Sequence, residues 1–184
     1  MCKILTMQMS ESLKNIAKKI KLLMLDVDGV LTDGTIYIDS KGEELKAFNV
    51  RDGQGIKLLM QNGVAVAIVS ARGSKALERR TTELGILELY QNCTDKLEAY
   101  RLLKERYALK DSEIAYMGDD IVDIGVLRVV GLPITVADAK LYVKKHVLMV
   151  TEEEGGHGAV REVADFILAS KGILERILNE YNRF

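Results

Sequence analysis

The chain alternates short apolar runs with segments in which apolar residues recur every three or four positions. Continuous apolar runs indicate strands buried on both faces, and the periodic segments indicate helices that pack on a sheet. The predicted strands are residues 22–27, 64–70, 113–117, 132–137 and 147–150. The predicted helices between and after them are residues 53–62, 74–84, 94–107, 121–130, 139–145, 159–170 and 173–181. This alternation predicts a three-layer α/β fold, with a parallel sheet between two layers of helices.

The segment 34–50 interrupts this alternation. Its Thr, Ile, Tyr, Phe and Val residues flank the turn sequence Asp39-Ser40-Lys41-Gly42, which predicts a β-hairpin directly after the first strand. Such a hairpin projects from the edge at which the first strand ends. Two helices are predicted at the ends of the chain, a leading amphipathic helix within residues 1–20 and a C-terminal helix within residues 171–184.

Composition and charge exclude several classes of protein. The 184 residues are 48% apolar and 29% charged, which predicts a single globular domain over residues 1–184. A net charge of −1 predicts no nucleic-acid or membrane partner, and no apolar stretch is long enough to span a bilayer. The two cysteines, Cys2 and Cys93, argue against a disulfide scaffold, and residues 1–21 lack the apolar core of a signal peptide. These features favour a cytoplasmic protein.

Two carboxylates follow the first predicted strand, in the sequence Asp26-Val27-Asp28-Gly29. In an extended chain, residues i and i+2 point to the same side, so both carboxylates reach one place. Like charges this close repel, and a cation such as Mg²⁺ keeps both ionised. Taken alone, the sequence is equally typical of a turn in which Asp accepts bonds from backbone N–H groups. Further acidic and phosphate-binding groups at neighbouring strand ends decide in favour of a nucleophile and a proton donor around Mg²⁺.

Such groups occur further along the chain. Ser70 ends the second predicted strand, Lys96 lies near the start of a helix, and Asp119, Asp120 and Asp123 follow the third strand. Ligands of open α/β sheets bind beyond the carboxyl ends of the strands, where all of these residues are expected. Each has an ordinary alternative as a helix cap or a solvated side chain. Their combined order favours phosphoryl transfer, since hydroxyl and ammonium groups hold phosphate and carboxylates hold Mg²⁺.

Over residues 21–170 the sequence resembles the haloacid dehalogenase superfamily of phosphotransferases. Its four motifs correspond to residues 26–32, Ser70, Lys96, and residues 118–120 with Asp123. Segments 28–34, 48–53, 70–72 and 155–162 further resemble the 3-deoxy-D-manno-octulosonate 8-phosphate phosphatases, capless members that act in the synthesis of the lipopolysaccharide inner-core sugar. The resemblance implies a Rossmann-like, capless fold and a homotetramer in which subunit contacts replace the cap. The hairpin would then contribute to a central interface.

The resemblance also implies a role for each motif residue. Asp26 is the expected nucleophile, and Asp28 the expected general acid and base. Mg²⁺ is expected on the Asp26 carboxylate, the Asp28 backbone carbonyl and Asp119. Ser70 and Lys96 are expected to hold the phosphate. Asp120 and Asp123 are expected to orient metal-bound waters or Lys96.

Substrate contacts are implied at a wider set of positions. The expected residues are Asp28, Asn49, Val50, Arg51, Asp52, Gly53, Lys57, Arg72, Arg80, Lys96 and Asp120. A guanidinium can bind the carboxylate of a sugar acid with two hydrogen bonds, which makes Arg72 and Arg80 chemically suitable. Arg79 is the alternative to Arg80, because only one of two consecutive helical residues should face the site.

Two positions depart from the family pattern. Ala71 stands where Gly is usual, and His157 stands where Arg is common in the glycine-rich loop. Two other functions stay open. A phosphatase for a nine-carbon keto-sugar acid phosphate would have the same shape, although Arg72 favours the eight-carbon substrate. An inactive oligomerisation module is the other, and the retained acidic and phosphate-binding residues argue against it.

Overall fold

The computed structural model describes residues 10–182. In chain order, its strands are β1 (Leu22–Leu25), β2 (Tyr37–Ile38), β3 (Glu44–Leu45), β4 (Ala65–Val69), β5 (Glu88–Tyr90), β6 (Ile114–Met117), β7 (Leu132–Thr135) and β8 (Met149–Val150). Six of them form a sheet in the order β5-β4-β1-β6-β7-β8, and every pairing in it is parallel. Strand β1, which leads directly into the Asp26-Val27-Asp28 sequence, therefore lies in the middle of the sheet.

Helices cover both faces of this sheet. They are α1 (Glu11–Ala17), α2 (Val50–Gln61), α3 (Lys75–Leu84), α4 (Lys96–Arg106), α5 (Ile124–Leu127), α6 (Leu141–Lys144), α7 (Ala159–Ser170) and α8 (Leu174–Tyr181). Short 3₁₀ turns precede β6 and α5, at Asp111–Glu113 and Ile121–Asp123. Within residues 10–182, none of the helices has the length and apolar character needed to cross a membrane.

The side chains of β1 show how the two helical layers are held. Leu23 and Leu25 pack in a core with α1, α2, α3, α7 and α8, whereas Leu22 and Met24 pack in a second core with α4, α5 and α6. Successive strand residues point to opposite faces, so an unbroken apolar strand serves both layers. The predicted three-layer, Rossmann-like α/β fold is therefore confirmed.

Strand register sets the position of the functional edge. Leu25 is paired with Ile68 on β4 and with Met117 on β6, and the Asp26 N–H donates to the Met117 carbonyl at 3.0 Å. Asp26 is thus level with Gly118, one residue beyond the last pair. The loops after β1, β4 and β6 consequently meet at one edge.

The hairpin is present but shorter than predicted. Tyr37 pairs with Leu45 and Ile38 with Glu44 in an antiparallel ladder, closed by a turn in which Gly42 has φ +81°. The predicted range of 34–50 is too long at its end, because Val50 already begins α2. Within residues 10–182 the hairpin is the one insertion into the βα alternation.

Several predicted boundaries were wrong. Strand β5 was not predicted, because its three residues carry Glu88 and have no apolar run. The helix predicted over 121–130 is a 3₁₀ turn followed by the single turn of α5. The leading helix occupies Glu11–Ala17, and the terminal helix occupies Leu174–Tyr181. Residues 1–9 and 183–184, which the two terminal predictions include, lie outside the described residues.

Candidate active site

A buried lysine joins the loops after β1 and β6. Lys96 Nζ lies 2.8 Å from Asp26 Oδ1 and 2.6 Å from Asp123 Oδ1, and all three side chains are buried. The Asp95 carboxylate caps α4 by accepting from the Leu97 N–H, which fixes Lys96 as the first helical residue. Burial lowers the pKa of Lys96, but the two carboxylates outweigh it and raise that pKa above its usual value. The lysine is therefore a fixed cation at the end of β1.

Asp123 is the hub of this cluster. Its Oδ1 accepts from Lys96 and from the Tyr116 hydroxyl, and its Oδ2 accepts from the backbone N–H groups of Asp119 and Asp120 at 2.9 and 3.0 Å. A Cβ on Gly118 would lie 2.4 Å from Asp123 Cγ, so the chain passes the carboxylate only with glycine there. With four donors on its two oxygens, Asp123 is placed to orient Lys96 and the loop.

Asp119 offers the oxygen that this network leaves free. Its Oδ1 is buried and has no hydrogen-bond partner among residues 10–182. Oxygens of Asp26, Asp119 and Asp123 lie within 4.8 Å of one another. Gly29 has φ +90°, and a Cβ there would lie 2.2 Å from Asp119 Oδ2. The donor set is oxygen only, which fits a hard cation such as Mg²⁺ on Asp26 and Asp119.

The electrostatics of Asp26 and Asp119 also favour a bound cation. Burial raises the pKa of Asp26 to about 6, against the opposing effect of Lys96. Burial, with the neighbouring charges of Asp26 and Asp123, raises the pKa of Asp119 to about 7. Three carboxylates around one lysine leave an excess of negative charge, which a divalent cation would balance.

Asp28 faces away from this cluster. Its Oδ1 contacts Lys46 Nζ, and its Oδ2 lies 3.8 Å from Arg72 Nε. Lys46 was not predicted from the sequence as a site residue. It directly follows β3, and it reaches Asp28 because the hairpin folds back over the β1 loop. The available signal was the alternation of Glu44, Leu45 and Lys46, which places the two charged residues on one side of the hairpin.

Ser70 directly follows β4, at the edge of the sheet where the β1 loop also lies. It is buried, its N–H donates to the Tyr90 carbonyl at 2.8 Å, and its hydroxyl accepts from the Arg72 N–H at 3.2 Å. Strand β5 therefore helps to fix Ser70, although it was absent from the predicted fold. The hydroxyl lies at the same edge as Asp26, where a phosphate oxygen would approach.

Predicted substrate residues at the start of α2 divide into two groups. Val50 is 77% exposed and Arg51 is exposed, so both first-turn residues face solvent. Asn49 caps α2 by accepting from the Arg51 N–H at 2.8 Å, and its Nδ2 donates to the Gly156 carbonyl at 3.3 Å. Asp52 is buried, and it accepts from the Arg161 N–H at 2.7 Å at the start of α7. The Asp52 carboxylate thus joins the starts of α2 and α7, and its role in substrate binding stays a prediction.

The structure selects Arg80 over Arg79. Arg80 Nη2 lies 3.4 Å from the Asn49 carbonyl, and the guanidinium lies over the Phe48 ring, while Arg79 is exposed. A Cβ on Gly53 would lie 2.3 Å from Arg80 Nη2, so Gly53 makes room for this side chain. Lys57 lies seven residues beyond Val50, about two helical turns from the edge, and makes no side-chain hydrogen bond or ion pair within residues 10–182.

Asp120 does not join the Lys96 network. Its Oδ1 accepts from the Ile121 N–H at 2.7 Å and from the Tyr142 hydroxyl at 3.0 Å. Of the two carboxylates, Asp123 is therefore the one placed to orient Lys96, and the expectation that Asp120 orients metal-bound water stays a prediction. The exposed Asp120 caps the turn that follows β6.

The glycine-rich loop supports the first motif through its backbone. A Cβ on Gly155 would lie 1.9 Å from the Gly29 carbonyl oxygen, and the Gly156 N–H donates to the Val30 carbonyl at 2.9 Å. Contact this close between two backbones requires glycine. His157 is exposed, and its Nδ1 lies 2.8 Å from the Gly155 carbonyl. The backbone of the glycine-rich loop thus packs against the turn after Asp28 and stabilises it.

Known proteins resemble both the sequence and this fold. A family profile described as haloacid dehalogenase-like hydrolase matches residues 73–163. The 3-deoxy-D-manno-octulosonate 8-phosphate phosphatase KdsC of Salmonella typhi is 48% identical over 159 residues, which are 86% of this chain and 85% of that protein.

Solved structures agree. The crystal structure of the 3-deoxy-D-manno-octulosonate 8-phosphate phosphatase from Yersinia pestis has a TM-score of 0.88 at 47% identity, covering 90% of this chain and 89% of that one. The enzyme of Moraxella catarrhalis, in complex with magnesium, phosphate and KDO, has a TM-score of 0.91 at 37% identity, covering 94% and 99%. Since identity of this level extends over most of both chains, the chain belongs to the 3-deoxy-D-manno-octulosonate 8-phosphate phosphatase family of haloacid dehalogenase-like hydrolases.

Proposed function

We propose that the protein is a Mg²⁺-dependent phosphatase that hydrolyses 3-deoxy-D-manno-octulosonate 8-phosphate to the free sugar acid and phosphate, in lipopolysaccharide biosynthesis. The observation that carries the proposal is the buried arrangement of Asp26, Lys96 and Asp123 beside the unpartnered oxygen of Asp119. Relatives of this chain carry the same activity in their names, and one was solved with magnesium, phosphate and the product sugar.

The chemistry follows from the positions of four side chains. An Asp26 oxygen attacks phosphorus in line, the ester P–O bond breaks, and an aspartyl-phosphate forms. Asp28 gives a proton to the leaving sugar oxygen and then takes one from the water that hydrolyses the intermediate, so Asp26 is regenerated. Lys96 and Ser70 hold the phosphoryl oxygens during both transfers.

Mg²⁺ would be held by the carboxylates of Asp26 and Asp119 and by the Asp28 backbone carbonyl, with waters completing its octahedron. When bound, it neutralises the charge of the phosphoryl oxygens beside the Asp26 nucleophile. Asp123 has no oxygen to spare for it, because four donors already occupy that carboxylate.

Mg²⁺ is expected to raise the melting temperature of the purified protein. The cation balances Asp26 and Asp119, whose ionised forms are destabilised by burial. Ligand binding to the folded state alone stabilises by about 2.7 kcal/mol at a hundredfold excess over Kd. Differential scanning fluorimetry with Mg²⁺ and with EDTA measures the shift. The Asp119→Asn variant should lose most of it, whereas an equal shift in both proteins would refute the assignment of Asp119.

The eight-carbon substrate is supported by the mouth of the site. Arg72 has a side chain that is 44% exposed beside Asp28, where it can reach the carboxylate of a sugar acid. A panel of eight- and nine-carbon sugar-acid phosphates, assayed for phosphate release with Mg²⁺, tests the choice. The eight-carbon ester should have the highest kcat/KM. A preference for the nine-carbon ester would overturn the substrate, and no release from any ester would favour an inactive oligomerisation module.

We also propose a homotetramer built around the hairpin. Apolar side chains that are between 45% and 77% exposed cluster on and beside it, namely Ile36, Tyr37, Ile38, Leu45 and Val50. Several large apolar side chains exposed on one element are typical of a protein interface. Sedimentation should give a species of four times 20.5 kDa, and a monomer at assay concentration would contradict the proposal.

Two broader proposals come from the sequence. A single domain over residues 1–184 is supported by the sheet that both hydrophobic cores share, and it predicts one cooperative unfolding transition. A cytoplasmic location is supported by the low cysteine content, and cell fractionation tests it.

A further inference from the structure

Four charged side chains form a closed ring at the mouth of the site. Lys46 Nζ contacts Asp28 Oδ1 and lies 3.3 Å from Glu44 Oε1. Arg72 Nη2 contacts Glu44 Oε2, and Arg72 Nε lies 3.8 Å from Asp28 Oδ2. Charges of opposite sign alternate around the ring, which joins the loop after β1, the hairpin and the loop after β4. Two of its members, Glu44 and Lys46, have no role in the chemistry described above.

Burial distinguishes Lys46 from an ordinary surface lysine. Its side chain is only 3% exposed, compared with 25% for Asp28 and 44% for Arg72. Lysine is almost never this buried unless it is paired, and separating a buried pair is far more costly than separating an exposed one. We therefore expect the Lys46–Asp28 ion pair to constrain Asp28 more than the exposed contacts of Arg72 do.

The hairpin backbone explains how Lys46 reaches Asp28. Glu44 begins β3 and Lys46 follows it by two positions, so both point to the same side of the hairpin. Leu45 between them is 64% exposed and points the other way. The hairpin thus turns Glu44 and Lys46 toward Asp28 and leaves its outer side, which carries Tyr37 and Leu45, to its surroundings.

Asp28 needs such a partner because of where it lies. It is two residues from Asp26, and a free carboxylate there would be drawn to a cation on Asp26 and Asp119. A carboxylate bound to the metal cannot carry a proton to the leaving oxygen. In the structure, the possible metal site is formed by carboxylate oxygens of Asp26, Asp119 and Asp123. The Asp28 carboxylate instead contacts Lys46.

We propose that Lys46 is a positioning residue for Asp28: it holds that carboxyl group on the substrate side of the site, and Glu44 keeps Lys46 and Arg72 in place. The proposal rests on the phosphatase function proposed above. It makes the hairpin part of the active site of its own subunit, in addition to any contact made by its outer side.

The leaving group of the substrate supplies a test. A sugar alkoxide leaves only with a proton from Asp28, whereas p-nitrophenolate leaves without one, and kcat/KM reports the steps up to formation of the aspartyl-phosphate. The Lys46→Met variant should lose about 10- to 100-fold in kcat/KM for the sugar phosphate. For p-nitrophenyl phosphate it should lose less than about threefold.

Matched variants separate positioning from folding. Lys41→Met removes an exposed lysine from the turn of the same hairpin and should behave as wild type on both substrates. Lys46→Arg keeps the charge and should recover much of the sugar phosphatase activity. Glu44→Gln weakens the ring without emptying it, so it should show the same selective loss to a smaller degree. It serves as the test if Lys46→Met fails to fold.

An equal loss on both substrates, or no loss on either, would overturn the role of Lys46. The proposed substrate can fail separately, since the comparison can be made with any alkyl phosphate that the wild type hydrolyses. A wild-type protein that is inactive on alkyl and aryl phosphates alike would overturn both proposals.

Discussion

Replacing Asp26 with Asn is expected to abolish phosphate release and leave the fold intact. An amide oxygen is a poor nucleophile toward phosphorus, and removal of a catalytic nucleophile costs roughly 10⁴-fold or more in kcat. The fold should survive because Lys96 keeps its contact with Asp123, and because one of the mutually repelling carboxylates loses its charge. Phosphate release and the melting temperature, measured on the same preparation, separate the two effects.

Asp165→Asn is the matched control for this change. Asp165 pairs with Arg161 on α7, so the same chemical change is made in an i,i+4 surface pair. It should alter kcat by less than about twofold, because its partner is Arg161 on α7 and not a residue of the site. Such pairs contribute only about 0.3–0.5 kcal/mol to stability. Substantial turnover by Asp26→Asn would show that another group attacks phosphorus.

Replacing Asp123 with Ala should cause the largest loss of stability among the site residues. The variant leaves the N–H groups of Asp119 and Asp120 without an acceptor and takes one of two anionic partners from the buried Lys96. Breaking a buried charge network in this way costs about 3–5 kcal/mol, and urea unfolding measures the difference. Activity should fall as well, because Lys96 and Asp119 lose their orientation.

The Tyr116→Phe variant provides a reference value for the loss of stability in Asp123→Ala. It removes one of the four donors to the Asp123 carboxylate and keeps the ring in the core, so about 1.5–3 kcal/mol is expected. If Asp123→Ala cost no more than Tyr116→Phe, the carboxylate would contribute little beyond one ordinary hydrogen bond. The central place given to Asp123 would then be wrong.

The fold was predictable because local patterns coincide with tertiary ones in this chain. The apolar run of β1 is buried on both faces, and parallel register then brings Asp26, Ser70 and the residues after β6 to one edge without further information. Strand β5 escaped prediction because its sequence, Glu88-Leu89-Tyr90, matches no buried pattern. Its glutamate is instead paired with Arg106 on α4, which sequence spacing does not indicate.

Contacts between residues distant in sequence were the ones that the sequence did not indicate. Asp52 was assigned to substrate from its motif, and nothing in the sequence indicated that its carboxylate also binds the start of α7, 109 residues later in the chain. Lys46 was overlooked because its approach to Asp28 depends on how the hairpin folds back over the β1 loop. Asp120 and Asp123 look alike in sequence, and only the turn at Ile121–Asp123 directs one outward and the other inward.

The most direct test of the account is phosphate release from 3-deoxy-D-manno-octulosonate 8-phosphate by the purified wild-type protein with Mg²⁺, beside Asp26→Asn. We expect saturable release by the wild type, loss of that release in EDTA with recovery on added Mg²⁺, and none above background from the variant. Absence of release by the wild type, or equal release by both proteins, would contradict the account.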